Sequence, residues 1–174
     1  AEAVRAGMQA ALTQGNYLCI GFCDADLATP LSEMMRLIEV LHEEDADIVM
    51  GCRLLRLGAG IRRSTPRHYV GRIFATVVSL MLRLPVYDTQ CGAKVFRTAI
   101  AHDLFSEPFT SRWLFDVEAL ARYLQAFGPQ LALVKVIEVP LKSWVDRSGS
   151  KLRPRDFLVA PCQLWKIRRR YLVQ

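Results

Sequence analysis

The sequence of 174 residues has no apolar run long enough to cross a bilayer. Its longest, Ile73 to Leu82, is ten residues and contains Thr76 and Ser79, whereas a spanning helix needs about 20. The N-terminal "AEAVRAGMQAAL" lacks the basic start and apolar core of a secretory signal. Cysteine is present five times, at 19, 23, 52, 91 and 162, with no CxxC pair. An odd, unpaired set excludes a disulfide scaffold and reads as small buried thiols in a reducing compartment. The three histidines are scattered, so no histidine-based metal centre is expected. Internal repeats and low-complexity tracts are absent, and the length suits one domain with a real core.

Acid is missing from one whole region. Between Arg53 and Tyr87 there are seven arginines and neither Asp nor Glu. From Lys151 to the end there are seven basic residues against one acid, which accounts for the whole net charge of +6. Two separate basic tracts imply anionic partners: phosphates, acidic lipid headgroups or nucleic acid. Nucleic acid is disfavoured, because the tracts contain no recognition motif and little aromatic interleaving.

Apolar spacing supplies the elements. Glu2 to Gln14 reads as a helix stopped by Gly15-Asn16, and Tyr17 to Cys23 as a buried strand. Thr29-Pro30 offers an N-cap followed by proline at the first helical position. Met34, Leu37, Ile38 and Leu41 then follow at i, i+3, i+4 and i+7. "ADIVMGC" is the next strand. Beyond a Gly/Arg-rich loop comes a helix carrying Val70, Ile73, Phe74, Val77 and Met81. "DTQCGAKVFR" leads from a turn into a strand, a helix runs from about Phe115 to Phe127 and closes at Gly128, and "LALVKVIEVPLKSW" reads as strand. The last helix, Asp156 to Tyr171, ends in "KIRRR". Helices alternating with strands over short joints argue for an α/β sheet of parallel strands.

Chemistry gathers where strands end. Asp24 and Asp26 follow an apolar strand, and residues two apart in extended chain face one way. Open α/β sheets bind ligands at that edge, and paired hard oxygens suit Mg²⁺ or Mn²⁺ completed by a diphosphate. A solvated turn would look the same; the strand before and the helix after favour metal. Arg53 leaves the second strand at the same edge, with Arg62, Arg63 and Arg67 in the loop behind it, and arginine forks match phosphate oxygens. Asp88 lies in the turn "YDTQCG". Asp116 and Glu118, two apart in "RWLFDVE", either favour a helix dipole or line the cleft as acid–base or orienting groups. Trp113 and Trp144 can be read as core.

Taken in order, "FCDADLATPLSEM", "VMGCR", "DTQCGAKVF", "RWLFDVEAL" and "GSKL" resemble the inverting family 2 glycosyltransferases, closest to the branch of dolichyl-phosphate β-glucosyltransferases and polyprenyl-phosphate sugar synthases. The resemblance implies a Rossmann-like GT-A fold, α/β with a mixed, mostly parallel sheet flanked by helices. It implies transfer of a sugar, with glucose favoured, from a nucleotide diphosphate donor to a polyprenyl or dolichyl phosphate. By the same resemblance Asp24 and Asp26 hold the metal and donor diphosphate, and Arg53 with Arg63 or Arg67 receives the lipid phosphate. Asp88 sits beside the reacting centre, Gln90, Arg112, Trp113 and Asp116 build the sugar side, and Lys151 closes on the diphosphate.

Residues 1–150 would then be the C-terminal portion of the transferase domain and 151–174 a basic amphipathic helix. Val70–Leu82 and that tail (Leu158, Leu164, Trp165 and Ile167 beside Lys166 and Arg168–Arg170) are the expected contacts with the cytosolic face of a membrane, endoplasmic reticulum or bacterial inner membrane. The family's opening strand, with its P-x-Y-N-E-like motif, has no counterpart here, and "AEAVRAGM" resembles a later segment. The expectation is a domain truncated at its N-terminus, its uridine pocket supplied by a missing segment or a partner chain, with an unpaired sheet edge beside Tyr17–Cys23. Cys52 and Ala93 depart from the Ser and the aromatic that the family pattern leads one to expect. The competing reading is a catalytically incomplete remnant or binding module of the same fold.

Overall fold

A computed structural model describes residues 1–62, 65–145 and 154–173, with side chains at all of these except 62–68 and 154–158. The elements in order are α1 (Glu2–Gln14), β1 (Cys19–Cys23), α2 (Leu31–Glu43), β2 (Ile48–Cys52), β3 (Gly60–Arg62), α3 (Thr65–Leu82), β4 (Ala93–Arg97), α4 (Thr98–Phe105), α5 (Phe115–Lys135), β5 (Val136–Pro140), β6 (Ser143–Val145) and α6 (Pro154–Tyr171). Four strands form the main sheet in the order β1–β4–β2–β5, and β3 pairs with β6 in a small parallel ribbon.

β4 pairs antiparallel with both β1 and β2, while β2 and β5 are parallel. Three strands therefore share one direction, and β4 runs against them from between β1 and β2. The consequence for function is direct: β1 and β2 end at the same edge of the sheet, so the residues after Cys23 and Cys52 emerge together. β1 is an edge strand among the described residues. Beside it Tyr17 and Leu18 stand exposed, which is the open edge expected there.

The sheet separates two apolar layers. On one side Ile20, Ile48, Met50 and Phe96 meet α3, α4, α5 and α6 through Val78, Leu104, Leu120 and Leu164. On the other, Val49, Val95 and Val139 meet Leu37 and Leu41 of α2, together with Trp144. Alternation along each strand does the sorting. In α2 the i, i+4 pair Leu37 and Leu41 is fully buried, as its spacing requires.

Local differences from the sequence reading have physical causes. α2 begins at Leu31, one residue late, with extended Pro30 (φ −60°, ψ 148°) at the cap position; Thr29 is buried and makes no capping bond. The helix from Phe115 does stop at Gly128, whose φ of 82° and ψ of 162° belong to a region that only glycine occupies cheaply. Pro129 then opens a second helical stretch, so "LALVK" is helix rather than strand and β5 starts only at Val136. α4 was not visible in the apolar spacing. Of the five free cysteines Cys52 and Cys91 are buried, but Cys162 is exposed.

Candidate active site

The chain leaves β1 in a turn, not in further strand. The Leu27 amide donates to the Asp24 carbonyl (3.0 Å), Leu27 takes a positive φ of 51°, and the Ala28 amide donates to Asp26 Oδ1 (2.9 Å). Asp24 and Asp26 are both exposed. Their juxtaposition thus comes from turn geometry, which corrects the strand-alternation argument. The Asp24 carboxylate rests on Gly92, and a Cβ at position 92 would overlap it. Glycine here serves close approach.

Arg53, one residue past β2, meets Asp88 in a two-pronged ion pair. Its Nε donates to Oδ2 and its Nη2 to Oδ1, both at 2.7 Å, and its own amide donates to Oδ2 at 3.0 Å. Nη2 also donates to the Gln90 carbonyl (3.0 Å), and the guanidinium lies 5.3 Å from the centre of the Trp144 ring. Burial works against the Arg53 charge, but Asp88 more than restores it and holds the group protonated. Glu138 on β5 accepts the amides of Tyr87 and Asp88 at 2.6 and 2.7 Å, which fixes the turn that carries Asp88. Burial pushes the Glu138 carboxyl up, and those two amides oppose the rise.

The third unit is Lys94 with Asp116. Register places Lys94 opposite Phe22 of β1 and Met50 of β2. It is 2% exposed, and its Nζ lies 2.6 Å from Asp116 Oδ1 at the start of α5. Burial raises the Asp116 carboxyl above the usual range and Lys94 pulls it back; Asp24 and Arg53 are close enough to act on it as well. Burial drives the Cys91 thiol up to about 12 with Asp88 adding to the rise, so a thiolate nucleophile has no place here.

Asp24, Asp26, Arg53, Asp88, the Gln90 carbonyl and Asp116 therefore belong to one edge of the sheet. Two expected members differ in setting. Arg112 is exposed, and its carbonyl accepts from the amino group of Ala1 (3.3 Å). Trp113 packs against Phe74 of α3 with the rings tilted and their centres 5.4 Å apart. Glu118 stands in the first turn of α5 but does not line the cleft: fully buried, it accepts from Thr110, Ser111, Arg122 and Tyr171 and ties α6 to α5. Arg63 and Lys151 lie outside the described residues, as does the side chain of Arg67. Sequence reasoning missed Lys94 and Glu138; a lysine and a glutamate within apolar strands were the available signals.

Among the described residues no three Asp, Glu, His or Cys side chains converge to enclose a metal ion. Two exposed carboxylates on a turn nonetheless fit a hard cation that takes its other oxygens from a diphosphate, which is how Mg²⁺ is commonly bound. The Gly92 cradle keeps one of the two in place.

Comparison with known proteins places the chain in a family. Residues 1–105 match Glycosyl transferase family 2. A dolichyl-phosphate beta-glucosyltransferase of Drosophila melanogaster is 36% identical over 98% of this chain and 51% of its own length. One from Dictyostelium discoideum is 31% identical over 92% of this chain and 48% of its own. The chain spans about half the length of these curated relatives. The crystal structure of glucosyl-3-phosphoglycerate synthase from Mycobacterium tuberculosis in complex with uridine diphosphate superposes with a TM-score of 0.58, covering 91% of this chain and 52% of that one at 19% identity. That neighbour shows the GT-A fold. With over half of its residues matched and the fold in agreement, the chain belongs to glycosyl transferase family 2.

Proposed function

We propose that the protein containing this chain is an inverting glycosyltransferase that moves glucose from UDP-glucose to dolichyl phosphate. The observation that carries the reading is the pairing of charges at one sheet edge: Asp24 and Asp26 after β1, and Arg53 held by Asp88 after β2. The relatives' names give the substrate class. In this reading the uridine pocket would be supplied by a further segment or a partner chain.

The reaction asks little of a base. A phosphate monoester has a second pKa of about 6, so the acceptor is an anionic nucleophile at neutral pH. Its oxygen attacks the sugar C1, the bond from C1 to the diphosphate oxygen breaks on the opposite face, and UDP leaves with the electron pair. Asp24 and Asp26 would hold Mg²⁺ or Mn²⁺, which supplies charge for the departing diphosphate. Arg53 presents its guanidinium to the lipid phosphate; three of its N–H donors are committed to Asp88 and Gln90, and among the described residues Nη1 has no partner. Asp88 aims that fork rather than taking a proton. Arg63, Arg67 and Lys151 complete the anion-binding wall in this reading, and Gln90, Arg112, Trp113 and Asp116 the sugar side.

Membrane contact through α3 belongs to the same reading. No helix among the described residues is long and apolar enough to cross a membrane. Yet Tyr69, Val70, Ile73, Val77 and Leu80 stand exposed along α3, within the acid-free tract. In α6, Leu164 and Ile167 are buried in the core, leaving Trp165 exposed against Arg169 (5.4 Å) among the terminal arginines. An apolar stripe and a basic helix end suit peripheral attachment to the cytosolic leaflet.

The test is the full-length protein incubated with UDP-glucose, Mg²⁺ and dolichyl phosphate. Formation of dolichyl phosphate glucose supports the reading; product only with another nucleotide sugar corrects the donor; no product with any donor leaves the remnant reading. Gly92→Ala is expected to fold normally, because the exposed Asp24 side chain can swing aside. The displaced carboxylate should then weaken cation-dependent UDP-glucose binding by about tenfold or more, read by titration calorimetry.

A further inference from the structure

Lys94 has no assigned role in the reading above, yet its setting is the most constrained of any charged side chain at the site. An ammonium carried into an apolar layer is costly unless it is paired and hydrogen-bonded. Lys94 has both: the Asp116 carboxylate at 2.6 Å and the Cys91 carbonyl, to which Nζ donates. Phe22 lies beneath it, with Nζ 5.5 Å from the ring centre. Phe96, Phe105 and Phe115 close the remaining side, leaving a void of about 10 Å³. That is roughly the space of one water, and its lining beside the pair is otherwise apolar.

A pair of this kind adds little to stability that matched apolar residues would not supply. What it does supply is position. Asp116 is a first-turn carboxylate of α5, in the block assigned above to the sugar side of the cleft, and Asp24 and Arg53 act on it from across the edge. Without Lys94 the carboxylate would lose its one cation in direct contact, leaving it among apolar rings with Asp24 and Arg53 acting on it only from a distance.

We propose that Lys94 is a positioning residue for sugar transfer, pinning the Asp116 carboxylate in the orientation that meets the donor sugar. The inference rests on the glycosyltransferase reading. It requires that Lys94 act through Asp116 and not independently of it.

The experiment is a double-mutant cycle of Lys94→Met and Asp116→Asn in the full-length protein, with UDP-glucose, Mg²⁺ and dolichyl phosphate. Lys94→Met should lower kcat by about 100-fold while the KM for the lipid stays within about threefold. The double variant should turn over within about threefold of Asp116→Asn alone, as expected of residues acting as a unit. Losses that multiply, or a folded Lys94→Met enzyme with wild-type kcat, overturn the proposal. If Lys94→Met fails to fold, the comparison of Asp116→Asn with the double variant, in which no carboxylate is stranded, decides: equal rates support it and a further tenfold drop overturns it. A wild-type enzyme inactive with every nucleotide sugar overturns the glycosyltransferase reading and this inference with it, whereas multiplicative losses in an active enzyme overturn this inference alone.

Discussion

Asp24→Asn is expected to lower the rate of glucose transfer by about 10³-fold, the scale of losing one electrostatic contact to developing charge, with almost no change in thermal stability. Both halves follow from the turn after β1. The Asp24 backbone carbonyl, not its carboxylate, accepts the Leu27 amide. Among the described residues the carboxylate accepts no hydrogen bond, and the residue is exposed. Surface substitutions of that sort cost at most about 0.5 kcal/mol. Asparagine keeps the shape against Gly92 and removes only the charge that a cation would need. Initial rates at saturating Mg²⁺, set beside a thermal melt, check both halves together. A melt that falls with the rate would show Asp24 to be a fold residue.

Arg53→Met should behave differently, losing stability and activity at once. It takes both guanidinium prongs from the Asp88 carboxylate, whose side chain is 12% exposed, and leaves the backbone amide of residue 53 on Oδ2. Breaking a buried pair by removing one partner costs about 3 kcal/mol at the low end of the usual range, and the low end suits a pair that is not fully buried. In the full-length protein that is a fall in Tm of several degrees, smaller per kcal/mol than in a single small domain. Changing Asp88 to Leu in the Arg53→Met background removes the carboxylate that has lost its guanidinium. The double variant should recover most of the lost Tm and none of the transferase rate. Recovery of both would place Arg53 outside the anion-binding wall.

Local signals in the sequence carried much of the architecture. The 13 residues of α1 were legible in full, because Gly15-Asn16 stops a good helix former. Leu37 and Leu41 marked the buried stripe of α2, and Gly128 marked the break in α5. The Gly-Pro pair at 128–129 also announced a new helix start, since proline suits the first helical position; the valines after it drew the reading to strand instead. Non-local pairing was not legible. Nothing in "AKVFR" says that it inserts antiparallel between β1 and β2, because that depends on which partner edge is free. The site divides the same way. Asp24, Asp26, Arg53 and Asp88 could be named, since each follows a strand or a turn signal. Lys94 and Glu138 could not, because strand alternation alone does not say that a charged side chain points into the core and finds a partner there. Glu118, read as a dipole or cleft residue, proved to be the anchor that holds Tyr171 to α5.

The central claim is that the turn after β1 binds the donor diphosphate through a shared cation. It is tested most directly by titrating UDP-glucose into the full-length protein with and without Mg²⁺ or Mn²⁺, for the wild type and for Asp26→Ala. The account predicts binding at least about tenfold tighter with the cation, a coupling within the usual 1–3 kcal/mol, and loss of that difference in Asp26→Ala. Equal affinity with and without the cation, or an Asp26→Ala variant that keeps the full difference, would contradict it.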